Sequence, residues 1–193
     1  MIRLTALAAL LAAALALPHP AAAQDAEAAW AALKQPGTVA IMRHALAPGG
    51  GDPANFELGD CSTQRNLNDA GRAQARRIGR AFRDQGIQVD RVLTSQWCRC
   101  RDTAELLDLA RVEDFPALNS FFQDRSTRDA QTAEVRRLLA DAPADEKLVL
   151  VTHQVNITAL TDVFPSSGEV VVIEVADDGT VDVRGTVLIR APR

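Results

Sequence analysis

Residues 38–42 (TVAIM) and 148–151 (LVLV) are runs of β-branched and aliphatic side chains that lack the alternation of a strand with one wet face. Such runs need cover on both sides, as in a sheet enclosed between two layers of helices. Each run leads straight into reactive side chains, Arg43 and His44 after the first, Thr152 and His153 after the second. A third strand candidate, VDRVLTS at 89–95, lies between them.

The segments between these strands carry helical periodicity. Asn68 is placed to cap a helix running to about Gln85, whose Ala75, Ile78 and Phe82 share one face. A second helix is expected over 96–110, with Thr103, Leu106, Leu107 and Ala110 on one side, and a third opening at Ser126 or Thr127 and carrying Val135, Leu138 and Leu139. A short helical piece follows over 155–163, and the end of the chain reads as two β segments joined around Asp178 and Gly179. With 193 residues, 47% of them hydrophobic, the chain can build one sizeable core. The expected class is α/β, three-layered, with a mostly parallel central sheet and helices on both faces.

Residues 1–23 carry one early positive charge, Arg3, then an Ala/Leu run, then small residues at Ala21 and Ala23. This is the layout of a secretory signal peptide removed after Ala23, and it predicts a periplasmic or secreted protein. The apolar run is shorter than the ~20 residues of a membrane span, and Pro18 and Pro20 close it, so no span is expected after processing. Residues 24–37 form a leading helix around Trp30, ended by Pro36 and Gly37, and the main domain is expected over 38–193.

Loss of Arg3 leaves 20 of the 21 basic residues against 25 acidic ones, a net charge of −5. That balance excludes the broad basic surface of a nucleic-acid or anionic-membrane binder, so any positive patch is local. Cys61, Cys98 and Cys100 all lie in the exported part, where one disulfide and one free thiol are expected, Cys61 pairing with Cys98 or with Cys100. No C-x-x-C or neighbouring histidine makes a metal site of them, and no metal or cofactor is expected.

Only His44 and His153 survive processing, and both follow apolar strands. Ligand crevices of open α/β sheets lie beyond the carboxyl ends of the strands, so the two can face one site. Arg43 beside His44 suits a doubly charged oxyanion better than a buried corner, because both groups demand partners. Arg99, at the opening of the second helix, adds a cationic fork where helix N–H groups also favour anions. Together these residues outline a phosphate pocket.

Four segments in order, IMRHA, LNDAGRAQA, SQWCRCRDTA and LVLVTHQVNI, resemble the histidine phosphatase superfamily, whose fold is phosphoglycerate-mutase-like. The resemblance spans about 38–160. It implies phosphoryl transfer through a phosphohistidine on His44 without a metal, with Arg43, Arg99 and His153 around the phosphoryl group and Arg101 outside the pocket. Among exported bacterial members the chain looks most similar to small phosphatases resembling the lipopolysaccharide core heptose-phosphate phosphatases. That implies a small phosphorylated substrate such as a phosphosugar or glycan phosphate.

The chain departs from the family pattern at the proton donor. Gln154 follows His153 where some members carry a carboxylate, and ALNSFFQDRST lacks the glutamate found in others. Asp124 is the nearest carboxylate there, and Glu169 is the second candidate. A pocket without an acid also fits a different class of protein, a non-catalytic module that holds a phosphorylated glycan or another anion.

Overall fold

The computed structural model of the chain describes residues 21–176 and 178–192. Most of the expected export signal, residues 1–20, lies outside the described residues. Among the described residues six strands, β1 (Thr38–Arg43), β2 (Arg91–Thr94), β3 (Val112–Asp114), β4 (Leu148–Thr152), β5 (Glu169–Val175) and β6 (Val181–Leu188), alternate with five helices. The helices are α1 (Ala21–Leu33), α2 (Asp69–Asp84), α3 (Cys98–Leu107), α4 (Arg128–Asp141) and α5 (Gln154–Thr161).

The strands form one mixed sheet in the order β3-β2-β4-β1-β5-β6. The β1–β4, β2–β3 and β2–β4 pairs are parallel, whereas β1–β5 and β5–β6 are antiparallel. The chain moves outward from β1 to β2 and β3, then returns to β4. Right-handed crossovers in opposite directions place their helices on opposite faces. Accordingly Ile78 and Phe82 of α2 and Ala104 and Leu107 of α3 pack on Met42, Val92, Val149 and Val151. Val135 and Leu139 of α4 and Ile157 and Leu160 of α5 pack on Ile41, Leu93, Leu148 and Leu150 of the other face. Successive residues of β1 and β4 therefore serve two cores, which is why these strands show no alternation.

The helix expected from residue 24 spans Ala21–Leu33 and joins the first core through Ala29, Trp30 and Leu33, with Trp30 edge-on to Phe82 at 5.0 Å. Asn68 caps α2 as expected, its side chain accepting from Gly71 N at 2.8 Å. Gly71 has no room for a Cβ, which would meet the Leu46 carbonyl, and Gly79 likewise abuts the Leu107 backbone. Helix α3 ends earlier than its apolar pattern suggests, because Asp108 turns left-handed at φ 52°. Before α4, residues Arg125–Thr127 form a short 3₁₀ turn, so the helix proper starts at Arg128. Strand β3 escapes the sequence pattern because it is a short edge strand with two acidic residues among its three.

Candidate active site

Strands β1 and β4 are neighbours in register, Arg43 opposite Thr152, and the ladder continues as His44 N donates to Thr152 O at 2.9 Å. The two histidines therefore emerge side by side at the carboxyl edge of the sheet, ring centroids 5.6 Å apart and edge to face. They line a cavity of about 190 Å³, together with Arg43, Asp52, Arg65 and Arg99, with Phe122 and Gln154 also on its wall.

His44 is 2% exposed, and its Nδ1–H donates to the Ala45 carbonyl at 2.8 Å. A carbonyl oxygen can only accept, so the proton is fixed on Nδ1 and Nε2 keeps its lone pair. Burial pushes this imidazole well below the ordinary histidine value of 6.5, and Arg99, Arg43 and Arg65 push in the same direction against the Ala45 bond. The ring is neutral at physiological pH and carries a free nucleophilic nitrogen.

His153 has its Nε2 2.8 Å from Ser95 Oγ, and Arg99 Nη2 lies 3.4 Å from its Nδ1. Ser95 Oγ also reaches Asn119 Oδ1 at 3.3 Å and accepts from Trp97 N at 3.3 Å. An arginine N–H only donates, so Nδ1 accepts here and the ring proton sits on Nε2, donating to Ser95. Because a hydroxyl can also donate, a turn of Ser95 moves the proton to Nδ1 when an anion takes the place of Arg99 there. Burial, then Arg99 and His44, depresses its proton affinity as well.

The arginines are held by other groups yet keep donors in reserve. Arg43 Nη1 donates to Pro165 O at 3.1 Å. Arg99, 3% exposed, donates from Nη1 and Nη2 to Asp52 at 2.6 and 3.1 Å, and from Nη1 to Arg65 O at 3.3 Å. The Nε–H groups of both arginines are buried without a partner among the described residues. A buried charged donor left unpaired is costly.

The structure thus brings His44, His153, Arg43 and Arg99 into one cavity and leaves Arg101 outside it, paired with Asp114 on the surface. Asp124 is not brought in. Its carboxylate caps the turn Arg125–Thr127, accepting from Ser126 N at 3.0 Å and Ser126 Oγ at 2.6 Å, and these bonds hold it below the usual carboxylate range. The local order Asp-Arg-Ser builds this turn by itself, turning the side chain to its own backbone. Glu169 is likewise outside the cavity lining and accepts from Ser166 N at 2.8 Å.

Cys61 is bonded to Cys98, and Cys100 is the free, buried thiol. Burial raises Cys100 to about 12, so it stays a thiol beside His153 Nε2 at 3.5 Å. No group of three or more His, Cys, Asp or Glu able to hold a metal occurs among the described residues.

Two charged cavity residues escaped the sequence reading. Arg65, in TQRNLN ahead of α2, sends Nε to Gly51 O at 2.9 Å and Nη1 to Ala47 O. Asp52 is bonded to Arg99. The signal was the tract GGGDP: Gly49 and Gly51 take φ of 93° and 69°, left-handed conformations that glycine adopts without strain.

Residues 39–121 match the family model of the histidine phosphatase superfamily, branch 1. An uncharacterized protein of Picosynechococcus sp. is 32% identical over 114 residues, 59% of this chain and 64% of that relative. The protein histidine phosphatase SixA, in complex with tungstate, has the same fold at 18% identity and a TM-score of 0.56, covering 80% of this chain and 97% of its own. A mycobacterial hydrolase superposes with a TM-score of 0.57 at 16% identity, covering 80% and 99%. A phosphoglycerate mutase of Plasmodium falciparum does so with 0.50 at 15%, covering 79% and 93%.

Proposed function

We propose that the chain belongs to the histidine phosphatase superfamily, as the family-model match over residues 39–121 supports, and that it is an exported phosphatase that hydrolyses phosphomonoesters through a phosphohistidine on His44. One observation carries the reading: His44, with its Nε2 unprotonated, lines one cavity together with His153, Arg43 and Arg99. The lone pair attacks phosphorus, the bond to the leaving oxygen breaks, and that oxygen takes a proton. Arg43 and Arg99 meet the charge on the equatorial oxygens, and His153 adds Nδ1–H when Ser95 donates to its Nε2. Water then attacks phosphorus, releasing inorganic phosphate and restoring His44.

Of the carboxylates among the described residues, only Asp52 lines the cavity, and its bond to Arg99 keeps it ionised. The site therefore favours leaving groups that need little protonation. Aryl phosphates are such substrates, and so is a phosphohistidine protonated on its second nitrogen, the substrate type named for the SixA relative. A phosphosugar of the heptose type is the physiological class suggested by the motif resemblance and by the export-type leader.

Turnover of 4-nitrophenyl phosphate by the processed protein, undiminished by EDTA, is expected. Labelled substrate, quenched without acid, should leave an acid-labile, alkali-stable label. His44→Ala should remove both label and turnover. Phosphate binding without turnover would instead support the anion-binding module, and full activity in His44→Ala would overturn the proposal. The mass of the secreted protein tests processing after Ala23.

A further inference from the structure

Asp52 has no part in the steps above, yet it is among the most completely bonded side chains of the cavity. It is 7% exposed. Oδ1 accepts from Arg99 Nη1 at 2.6 Å and Arg65 N at 3.2 Å. Oδ2 accepts from Arg99 Nη2 at 3.1 Å and Trp97 Nε1 at 3.1 Å. Four donors thus use the acceptor capacity of the carboxylate.

Its task can be read in two ways. As a gate, Asp52 would occupy the place of a phosphoryl group on Arg99 and swing away when substrate arrives. As a brace, it would stay and fix the direction of the guanidinium. Swinging away would strand the two donors that the phosphoryl group does not take over, the Arg65 main-chain N–H and the Trp97 indole N–H. Its loop is also held in place, by Arg65 on Ala47 O and Gly51 O and by the Cys61–Cys98 bond. Meanwhile the pair of nitrogens that Asp52 engages, Nη1 and Nη2, leaves the Nε–H of Arg99 unpartnered.

We propose that Asp52 is a positioning residue that holds Arg99 by its two terminal nitrogens and so fixes its guanidinium in the cavity wall for a phosphoryl group at His44. This rests on the phosphatase reading for its consequence in catalysis, but the anchoring can be tested without turnover. The nearest catalytic groups act on the substrate, whereas Asp52 acts through Arg99.

The sign of one measurement separates brace from gate. Asp52→Asn removes a negative charge beside an anion site, so Coulomb's law alone, or release of a gate, tightens binding of inorganic phosphate. Loss of the brace weakens it, by about tenfold for one misdirected charge-assisted hydrogen bond. Titration calorimetry with inorganic phosphate should show this weakening, and kcat/KM for 4-nitrophenyl phosphate should fall with it. In an Arg99→Ala background the same substitution should no longer weaken binding, because the residue through which Asp52 acts is gone and only the removed charge remains, which tightens it. Tighter or unchanged phosphate binding, or an equal loss without Arg99, overturns the proposal. Circular dichroism checks the fold, and if Asp52→Asn does not fold, Asp52→Glu, which keeps the charge but displaces the carboxylate by one methylene, must show the same weakening. Wild-type protein that binds phosphate but hydrolyses nothing would sink the phosphatase reading and leave this comparison standing.

Discussion

Two loops wall the cavity, and they are held by different means. Residues 45–67 are tied to α3 by the Cys61–Cys98 bond, by Asp52 on Arg99 and Trp97, by Gln64 accepting from Cys98 N at 3.0 Å, and by the stacking of Phe56 on Trp97 at 4.9 Å. Residues 120–127 are anchored at their base, where Asn119 bonds Gln96, but beyond it Phe122 is 55% exposed and Asp124 bonds only to Ser126 and its own turn. The first wall is assembled by contacts between residues distant in sequence, and the second is mostly local. Charge and covalent linkage are concentrated in the wall beside Arg99, so chemistry depends on that wall and substrate shape on the other.

The largest effect is expected from breaking the first wall covalently. Replacing Cys61 and Cys98 together by Ser opens a loop with a sequence separation of 37, for which chain entropy alone gives ~3–4 kcal/mol. For a domain of this size that lowers Tm by on the order of 10 °C. Activity should fall even at temperatures where the variant is folded, because Asp52 and Arg65 ride on the released loop. A reduced protein with unchanged kcat/KM would show that the hydrogen bonds hold the wall unaided.

An intermediate effect concerns pH. Burial first, then Arg99, lowers the proton affinity of both histidines in the folded state, and Arg65 of the first wall adds a smaller push in the same direction. Unfolded histidines bind protons as pH falls through about 6.5, while the buried pair does not. Their contribution to stability is therefore present above that value and is lost as pH falls toward the depressed folded values. Chemical denaturation between pH 7 and 5 should show stability falling on acidification, with proton uptake on unfolding. Arg65→Gln should flatten that slope. A steeper slope in the variant would mean that Arg65 does not set the histidines' proton affinity.

The division between the walls is also the division between what the chain reveals in one dimension and what it does not. Buried parallel strands must be apolar on both faces, so β1 and β4 stand out, and the first residues past them, Arg43, His44 and His153, are conspicuous as costly groups at predictable ends. The cap at Asn68 and the helix at Arg99 follow from local chemistry in the same way. Asp52 and Arg65 carry no such mark: their partners lie on other segments, and their roles exist only once the loop has folded over α3. Strand β3 is hidden because an edge of three residues buries too little to impose a pattern. Asp124 was conspicuous for the opposite reason, as a carboxylate at about the right distance along the chain, and sequence distance does not record which way a side chain turns.

The smallest effect is expected at Asp124. Asparagine caps a turn about as well as aspartate, so Asp124→Asn keeps the bonds to Ser126 and should change stability by no more than about 0.5 kcal/mol. If Asp124 protonated the leaving oxygen, the same substitution would slow alkyl phosphates by on the order of 10² or more and spare aryl phosphates. With the carboxylate facing its own turn and outside the cavity lining, both substrates should keep kcat within about twofold, which is the scatter of an uninvolved surface change. The ratio of alkyl to aryl turnover is the quantity to measure, since it is insensitive to small losses of active protein. A selective loss on alkyl phosphates would mean that residues 120–127 fold over the substrate when it binds, and the wall read here as local would become the one that carries the proton.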